Sequence, residues 1–323
     1  MNLKSDLATL APFLLEPLFV ERIWGTPDLR PWYDFVASGE PGHNPVGEVW
    51  LTGDDCKVAT GDLAGKKLSE VFQEHSEAML GAAAPASVQG ASPLLMKVIF
   101  AREKLSVQVH PDDRLAQKYG QPRGKTECWY ALAAEPGAEV AAGLRRGVTL
   151  AQVETEVADG TLESSLQVLP VAEGDMVFVD AGTVHAIGPG VVLLETQQTS
   201  DTTFRLYDYG RPRELHLDQG LMAMKMKTRA GKVAPRKMDG FTRLIEEKYF
   251  TVDRFDLGAM EPVSLRMSGP GCLVGLAGIV SVITPGDEVE LLPGQAVVLP
   301  AGGGEVIVEA EEDALFVRCM APA

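Results

Sequence analysis

The sequence predicts a mainly β protein, organised as two related β-barrels with a few short helices. Three observations carry that expectation. Short apolar runs are punctuated by 33 Gly and 21 Pro in 323 residues, a composition suited to many short strands and tight turns. Hydrophobic residues make up 46% of the chain, enough for a sizeable core. One strand-and-turn segment also occurs twice. Glu173 to His185 has a Gly, an apolar run of strand length and then Ala-Gly, and Pro293 to Glu305 repeats this at the same offsets. The histidine ending the first copy becomes Glu305 in the second, and no histidine follows His216.

Element by element, Leu18–Val20 and Val46–Leu51 have strand character. Residues 66–84 read as one or two helices, with Leu68, Val71 and Phe72 at helical spacing. The pattern turns to strand from Leu94 to Val109, where Leu105, Val107 and Val109 alternate with Ser106, Gln108 and His110. Side chains alternate across a strand, so those three polar residues share a face. Cys128–Leu132, Met176–Val179 and Val191–Thr196 read as further strands, and 147–159 and 214–227 as short helices. The basic stretch 228–240, with Pro235, reads as a linker, and strands return from Tyr249. The expected division is a catalytic barrel over 1–240 and a second, non-catalytic barrel over 241–323.

Formal net charge is −16. That argues against nucleic acid or an anionic membrane as a partner, since both require a basic face. Four scattered cysteines without a CxxC pair imply reduced, buried thiols. The N-terminal apolar stretch is interrupted by Asp6, Pro12, Glu16 and Pro17, and no run is long enough to span a bilayer. A cytoplasmic protein is expected, and no sequence feature specifies its oligomeric state.

Of five histidines, two stand in strand-end settings. His110 ends a strand whose Gln108 points the same way, and His185 follows Ala-Gly at the end of another. Between them, Glu127 leads into a third apolar segment. Nitrogen and oxygen donors without thiolate suit zinc, and also iron, manganese or cobalt. Two His, one Glu and one Gln leave a coordination position open, as a catalytic site requires.

Gly174 to His185 resembles the second histidine motif of cupins, G-x5-P-x-G-x2-H, with Asp180 where Pro is usual. The barrels are therefore expected to be of the cupin, double-stranded β-helix type. A closer resemblance follows. Gln108-Val109-His110-Pro111-Asp112 resembles the Gln-x-His-Pro-Asp signature of type I mannose-6-phosphate isomerases. Gly124-Lys125-Thr126-Glu127-Cys128-Trp129, Val179–Gly188 and Glu195–Arg211 resemble that family's next three blocks, in order. Arg22-Ile23-Trp24-Gly25 and Gly47-Glu48-Val49-Trp50 fit as well, and the length resembles the compact bacterial branch.

That resemblance implies one Zn2+ held by Gln108, His110, Glu127 and His185. It implies a hexose phosphate substrate, mannose 6-phosphate interconverting with fructose 6-phosphate through a cis-enediol. Arg205 falls on the family's catalytic arginine, and Glu195 is placed for proton transfer. Lys125, Ser106 and Arg211 are placed toward the phosphate or a hydroxyl, with Trp24 and Glu48 lining the sugar pocket. Arg213 is read as an ordinary solvated charge. A cupin oxygenase with a two-His, one-carboxylate iron site is the alternative enzyme, and a non-catalytic sugar-phosphate binder the alternative without chemistry.

Overall fold

The structure, a computed structural model, describes residues 10–36, 45–81, 90–267 and 269–322. It is mainly β, with five short α-helices among the described residues. The chain divides into two compact units. One comprises the described parts of Met1–Leu18, Trp50–Leu95 and Pro235–Ala323, and the other Phe19–Val49 and Met96–Ala234. The single boundary expected near 240 is thus replaced by a discontinuous one. The reason is non-local pairing. Phe13–Leu15 pairs with Ala296–Leu299, and helices Leu68–Glu74 and Ser76–Leu80 add Leu68, Val71, Phe72 and Met79 to a core cluster containing Phe13, Leu15 and Val298.

The unit holding residues 96–234 has a core shared by two sheets. Strands Gly231–Val233, Met176–Val179, Glu127–Ala134, Val191–Gln198, Leu94–Ala101, Val46–Thr52 and Leu18–Thr26 lie side by side in that order. A five-stranded sheet runs Phe204–Tyr207, Val107–Val109, His185–Ile187, Glu139–Leu144, Leu166–Pro170. Trp129, Val177, Val179 and Leu193 from the first sheet pack with Val140, Ala142 and Ile187 from the second. The other unit repeats the plan: Phe255, Leu273, Val297 and Phe316 of one sheet meet Val282, Val289 and Val308 of a four-stranded sheet.

The repeated segment occupies matching places. Met176–Val179 and Ala296–Leu299 are both four-residue buried strands in the larger sheet of their unit. Each is followed by a turn and then a strand of the smaller sheet, beginning at His185 in one and at Glu305 in the other. His185 is buried, whereas Glu305 is exposed.

Several elements differ from expectation. The strand expected over 94–109 is two strands, Leu94–Ala101 and Val107–Val109, in different sheets. The one or two helices expected over 66–84 are two, Leu68–Glu74 and Ser76–Leu80, meeting at His75, and residues 82–84 lie outside the described residues. The helix expected over 214–227 shortens to Leu217–Ala223. Stretch 228–240 is no free linker, because Gly231–Val233 pairs with Met176–Phe178 and Arg236–Lys237 with Thr242–Arg243. All four cysteines are buried. Among the described residues, no helix is long and apolar enough to cross a membrane.

Candidate active site

The ladder brings the expected metal donors together. His185 pairs directly with Gln108 across the five-stranded sheet. His110 sits just past that strand, its ring 4.8 Å from the His185 ring. Glu127 opens a strand of the seven-stranded sheet, so the donors come from both sheets. His110 Nε2 lies 3.5 Å from Glu127 Oε2, and His185 Nε2 lies 3.4 Å from Oε1. Gln108 Nε2 is 3.2 Å from His185 Nε2. His110, Glu127 and His185 offer one ligand atom each, all within 4.8 Å of one another.

The surroundings set which atoms are offered. His110 Nδ1 is 2.9 Å from the Thr202 carbonyl, and His185 Nδ1 is 2.9 Å from the Thr183 carbonyl. A carbonyl oxygen only accepts, so each Nδ1 carries the proton and each Nε2 presents a lone pair. Burial lowers both imidazole pKa values, that of His185 to about 4, which keeps the rings neutral. Glu127 is fully buried, yet neither of its oxygens receives a directed hydrogen bond. Lys125 Nζ is its ion-pair partner at 3.0 Å. Burial pushes the Glu127 carboxyl up to about 8, against the pull of Lys125. Two imidazole lone pairs and an under-satisfied carboxylate converging in a dry interior are costly alone. A divalent cation satisfies all three, so the donor set fits a metal.

Beside the cluster lies a cavity of about 420 Å³, bordered by Gln108 and Lys125, the two residues that also touch the ligand group. Five cationic side chains line it: Arg22, Lys97, Lys125, Arg205 and Arg213. Glu48, Glu195 and Asp201 are the lining acids. A basic surplus in this cavity offsets the acidic charge of the whole chain, as an anionic substrate requires. Trp24 and Ser106 complete part of the wall, with Ser106 donating to Gln108 Oε1 at 3.0 Å.

Glu195 is buried beside this cavity. Its Oε2 is 2.9 Å from Lys97 Nζ and 3.9 Å from Lys125 Nζ, and its Oε1 accepts a hydrogen bond from Trp129 Nε1 at 3.0 Å. Burial opposes its charge, but Lys125 and Lys97, with the Lys97 and Trp129 hydrogen bonds, hold its pKa down to about 2. Burial lowers the Lys97 pKa, but Glu195 and Glu48 more than restore it. Arg22 grips Glu48 through Nε and Nη2 at 3.2 and 3.0 Å. Arg205 Nη1 donates to the Glu214 carbonyl at 2.9 Å, while its Nε is buried without a partner. Burial, then the neighbouring Arg213, lowers the Arg205 pKa.

The catalytic-domain model of type I phosphomannose isomerase matches residues 13–144. A mannose-6-phosphate isomerase of Streptococcus mutans is 33% identical over 306 residues, covering 89% of this chain and 93% of that protein. The chain belongs to the mannose-6-phosphate isomerase family. Another mannose-6-phosphate isomerase, from Bacillus subtilis, is 33% identical over 318 residues, covering 93% of this chain and 96% of that one. The crystal structure of a Bacillus subtilis mannose 6-phosphate isomerase superposes with a TM-score of 0.84 at 28% identity, over 96% of this chain and 99% of that one.

Within this family member, Trp24, Glu48, Ser106, Gln108, Lys125, Glu195 and Arg205 all border the cavity, with His110, Glu127 and His185 in the adjoining ligand group. Arg211 is not brought to the cavity. Its Nη2 donates to the Lys104 carbonyl at 2.5 Å, and its Nε to the Asp208 carbonyl at 3.3 Å. Its guanidinium lies over the Tyr209 ring. Arg213, read from sequence as a solvated charge, takes a cavity position and clamps buried Asp208 through two 2.6 Å contacts. The swap follows from the turn at 208–211, where Tyr209 has a φ of 54° and strand alternation no longer directs side chains. Lys97 was missed altogether. Its signal was a lone charge inside the apolar run Leu94–Ala101, and buried lysines are rare unless paired.

Proposed function

We propose that this chain is a metal-dependent aldose–ketose isomerase that interconverts mannose 6-phosphate and fructose 6-phosphate. The observation that carries the reading is the buried cluster of two inward-facing imidazole Nε2 atoms and the Glu127 carboxylate, adjoining a cavity with a cationic surplus. The similarity to named isomerases over about nine-tenths of the chain supports the same reading.

His110, Glu127 and His185 would hold one divalent ion, with Gln108 joining through Oε1 once its amide turns from Ser106. Zinc fits such nitrogen and oxygen donors with one coordination position left open. When bound, such an ion polarises a carbonyl and steadies charge on neighbouring oxygens. The chain's own side chains carry the remainder. Arg205 faces the cavity with a partly desolvated charge and stabilises the enediolate that develops as the proton leaves carbon. Glu195 stays ionised, so it takes a proton from one carbon and returns it to the next. Lys97 holds Glu195 and Glu48 on one wall. Lys125, Ser106 and Arg213 offer donors for the phosphate and hydroxyls. Arg211 supports the turn that carries Arg213. Trp24 and Ile99 keep part of the wall apolar, which limits water around the reactive carbons.

The test is conversion of mannose 6-phosphate to fructose 6-phosphate by purified, zinc-loaded protein in a coupled assay. Turnover that copurifies with the protein supports the reading, and no turnover on either hexose phosphate refutes it.

A further inference from the structure

Trp129 lies in the Glu127–Ala134 strand, directly opposite Glu195 of the Val191–Gln198 strand. Two residues earlier, Glu127 is opposite Gln197 in the same ladder. Alternation therefore puts Glu127 and Trp129 on one face, looking at the same interior as Glu195, and Lys125, just before the strand, reaches Glu127 Oε2 at 3.0 Å. Trp129 is 1% exposed and Glu195 2%. An indole N–H is only a donor, and in a dry interior it must find an acceptor. Here the acceptor is Glu195 Oε1, at 3.0 Å. The same indole packs edge-on against the His185 ring, with centroids 5.6 Å apart and planes at 61°.

These contacts give Trp129 a place that core packing alone does not require. The indole occupies one oxygen of Glu195 and so leaves the other, Oε2, facing Lys97 at 2.9 Å and Lys125 at 3.9 Å, the two lysines that line the cavity. Without the N–H, only the lysine contacts at Oε2 remain, and the carboxylate plane can turn about a terminal bond whose torsional preference is broad. We infer that Trp129 is a positioning residue: its indole N–H anchors one oxygen of Glu195 and so fixes the plane of the carboxylate and the direction in which its other oxygen faces the reacting carbons, while its ring braces His185. This rests on the isomerase reading and on Glu195 as its proton-transfer group.

The experiment replaces Trp129 by its benzothienyl isostere, which keeps the ring shape and puts sulfur in place of N–H, and separately makes Trp129→Phe. Both are assayed as zinc-loaded full chains for zinc content, kcat, KM and the primary deuterium isotope effect with mannose 6-phosphate deuterated at C2. A hydrogen bond to a buried charge gives an expected kcat loss of roughly 10- to 100-fold. Zinc content stays at the parental level, KM stays within about twofold, and the isotope effect is at least as large as the parent's. Combined with Glu195→Gln, the isostere causes no further loss, because the indole acts through Glu195. A parental kcat in the isostere overturns the inference. So does loss of zinc in step with activity, or a loss that adds in full to that of Glu195→Gln. Should the parent protein itself fail to turn over, the isomerase reading falls, and the positioning claim falls with it.

Discussion

Lys97→Met tests the buried charge network most sharply. Lys97 is 3% exposed and faces Glu195 at 2.9 Å and Glu48 at 3.7 Å. Methionine fills a similar volume but leaves two carboxylates without the cation between them. Removing one partner of a buried ion pair costs about 3–5 kcal/mol, and Arg22 and Lys125 recover only part, since Lys125 is 3.9 Å from Glu195. The loss should depend on pH. Lys125 and Lys97, working against burial, hold Glu195 at about 2 in the parent. A carboxylate held below its unfolded value adds stability above that unfolded value, and this is lost as pH falls toward the folded one. In the variant this depression shrinks, so the deficit relative to the parent is largest near pH 7 and smaller at pH 4, where the stranded carboxylates take up protons. Urea unfolding followed by tryptophan fluorescence at both pH values reads this. Equal stability at pH 7, or a deficit that does not change between pH 7 and pH 4, refutes the network.

Further outcomes follow from the same geometry. Arg205→Ala should retain the metal and lose about 100-fold in kcat, the scale of one removed transition-state donor; metal analysis beside steady-state kinetics checks it, and metal loss would assign Arg205 a structural role. Gly124→Ala should cost about 1–3 kcal/mol, because its Cβ would meet the backbone of Asp112 and Asp113 at 2.5 and 2.6 Å; thermal melts and zinc affinity read the loss, since Lys125 and Glu127 follow this residue. The metal-free protein should lose stability as pH falls from about 6.5 toward 4. Burial holds His185 neutral, down to about 4, so the unfolded chain binds the proton first. Each of His110 and His185 contributes about 1.4 kcal/mol per pH unit. Glu127, raised to about 8 and so already protonated in the folded chain, offsets one of them, which leaves a net slope of about 1.4 kcal/mol per pH unit. A flat profile over that range in unfolding titrations would contradict the buried neutral rings.

Much of the ligand group was legible in the chain because strand alternation is local. Gln108 and His110 are two apart and share a face, and the Ala-Gly turn before His185 sets that side chain at a strand start. What stayed hidden was non-local or sat where alternation fails. Lys97 lies in a strand buried on both faces, where apolar runs carry no period to mark the inward side. Across a tight turn, Arg213 rather than Arg211 takes the place beside the cavity. The joining of Phe13–Leu15 and Trp50–Leu95 to the C-terminal unit depends on pairing partners hundreds of residues away, as with Leu15 beside Ala296. The repeat was visible as a pattern of glycines, and its meaning became concrete when His185 and Glu305 were found opening equivalent strands, one buried and one exposed.

The most direct measurement is turnover of mannose 6-phosphate by chelator-stripped protein as zinc is titrated back, with His185→Ala run in parallel. Activity should start near zero, climb in proportion to added zinc and break at one equivalent per chain, while the variant neither binds zinc nor recovers. Full turnover by the stripped protein, or by His185→Ala without zinc, would contradict the account.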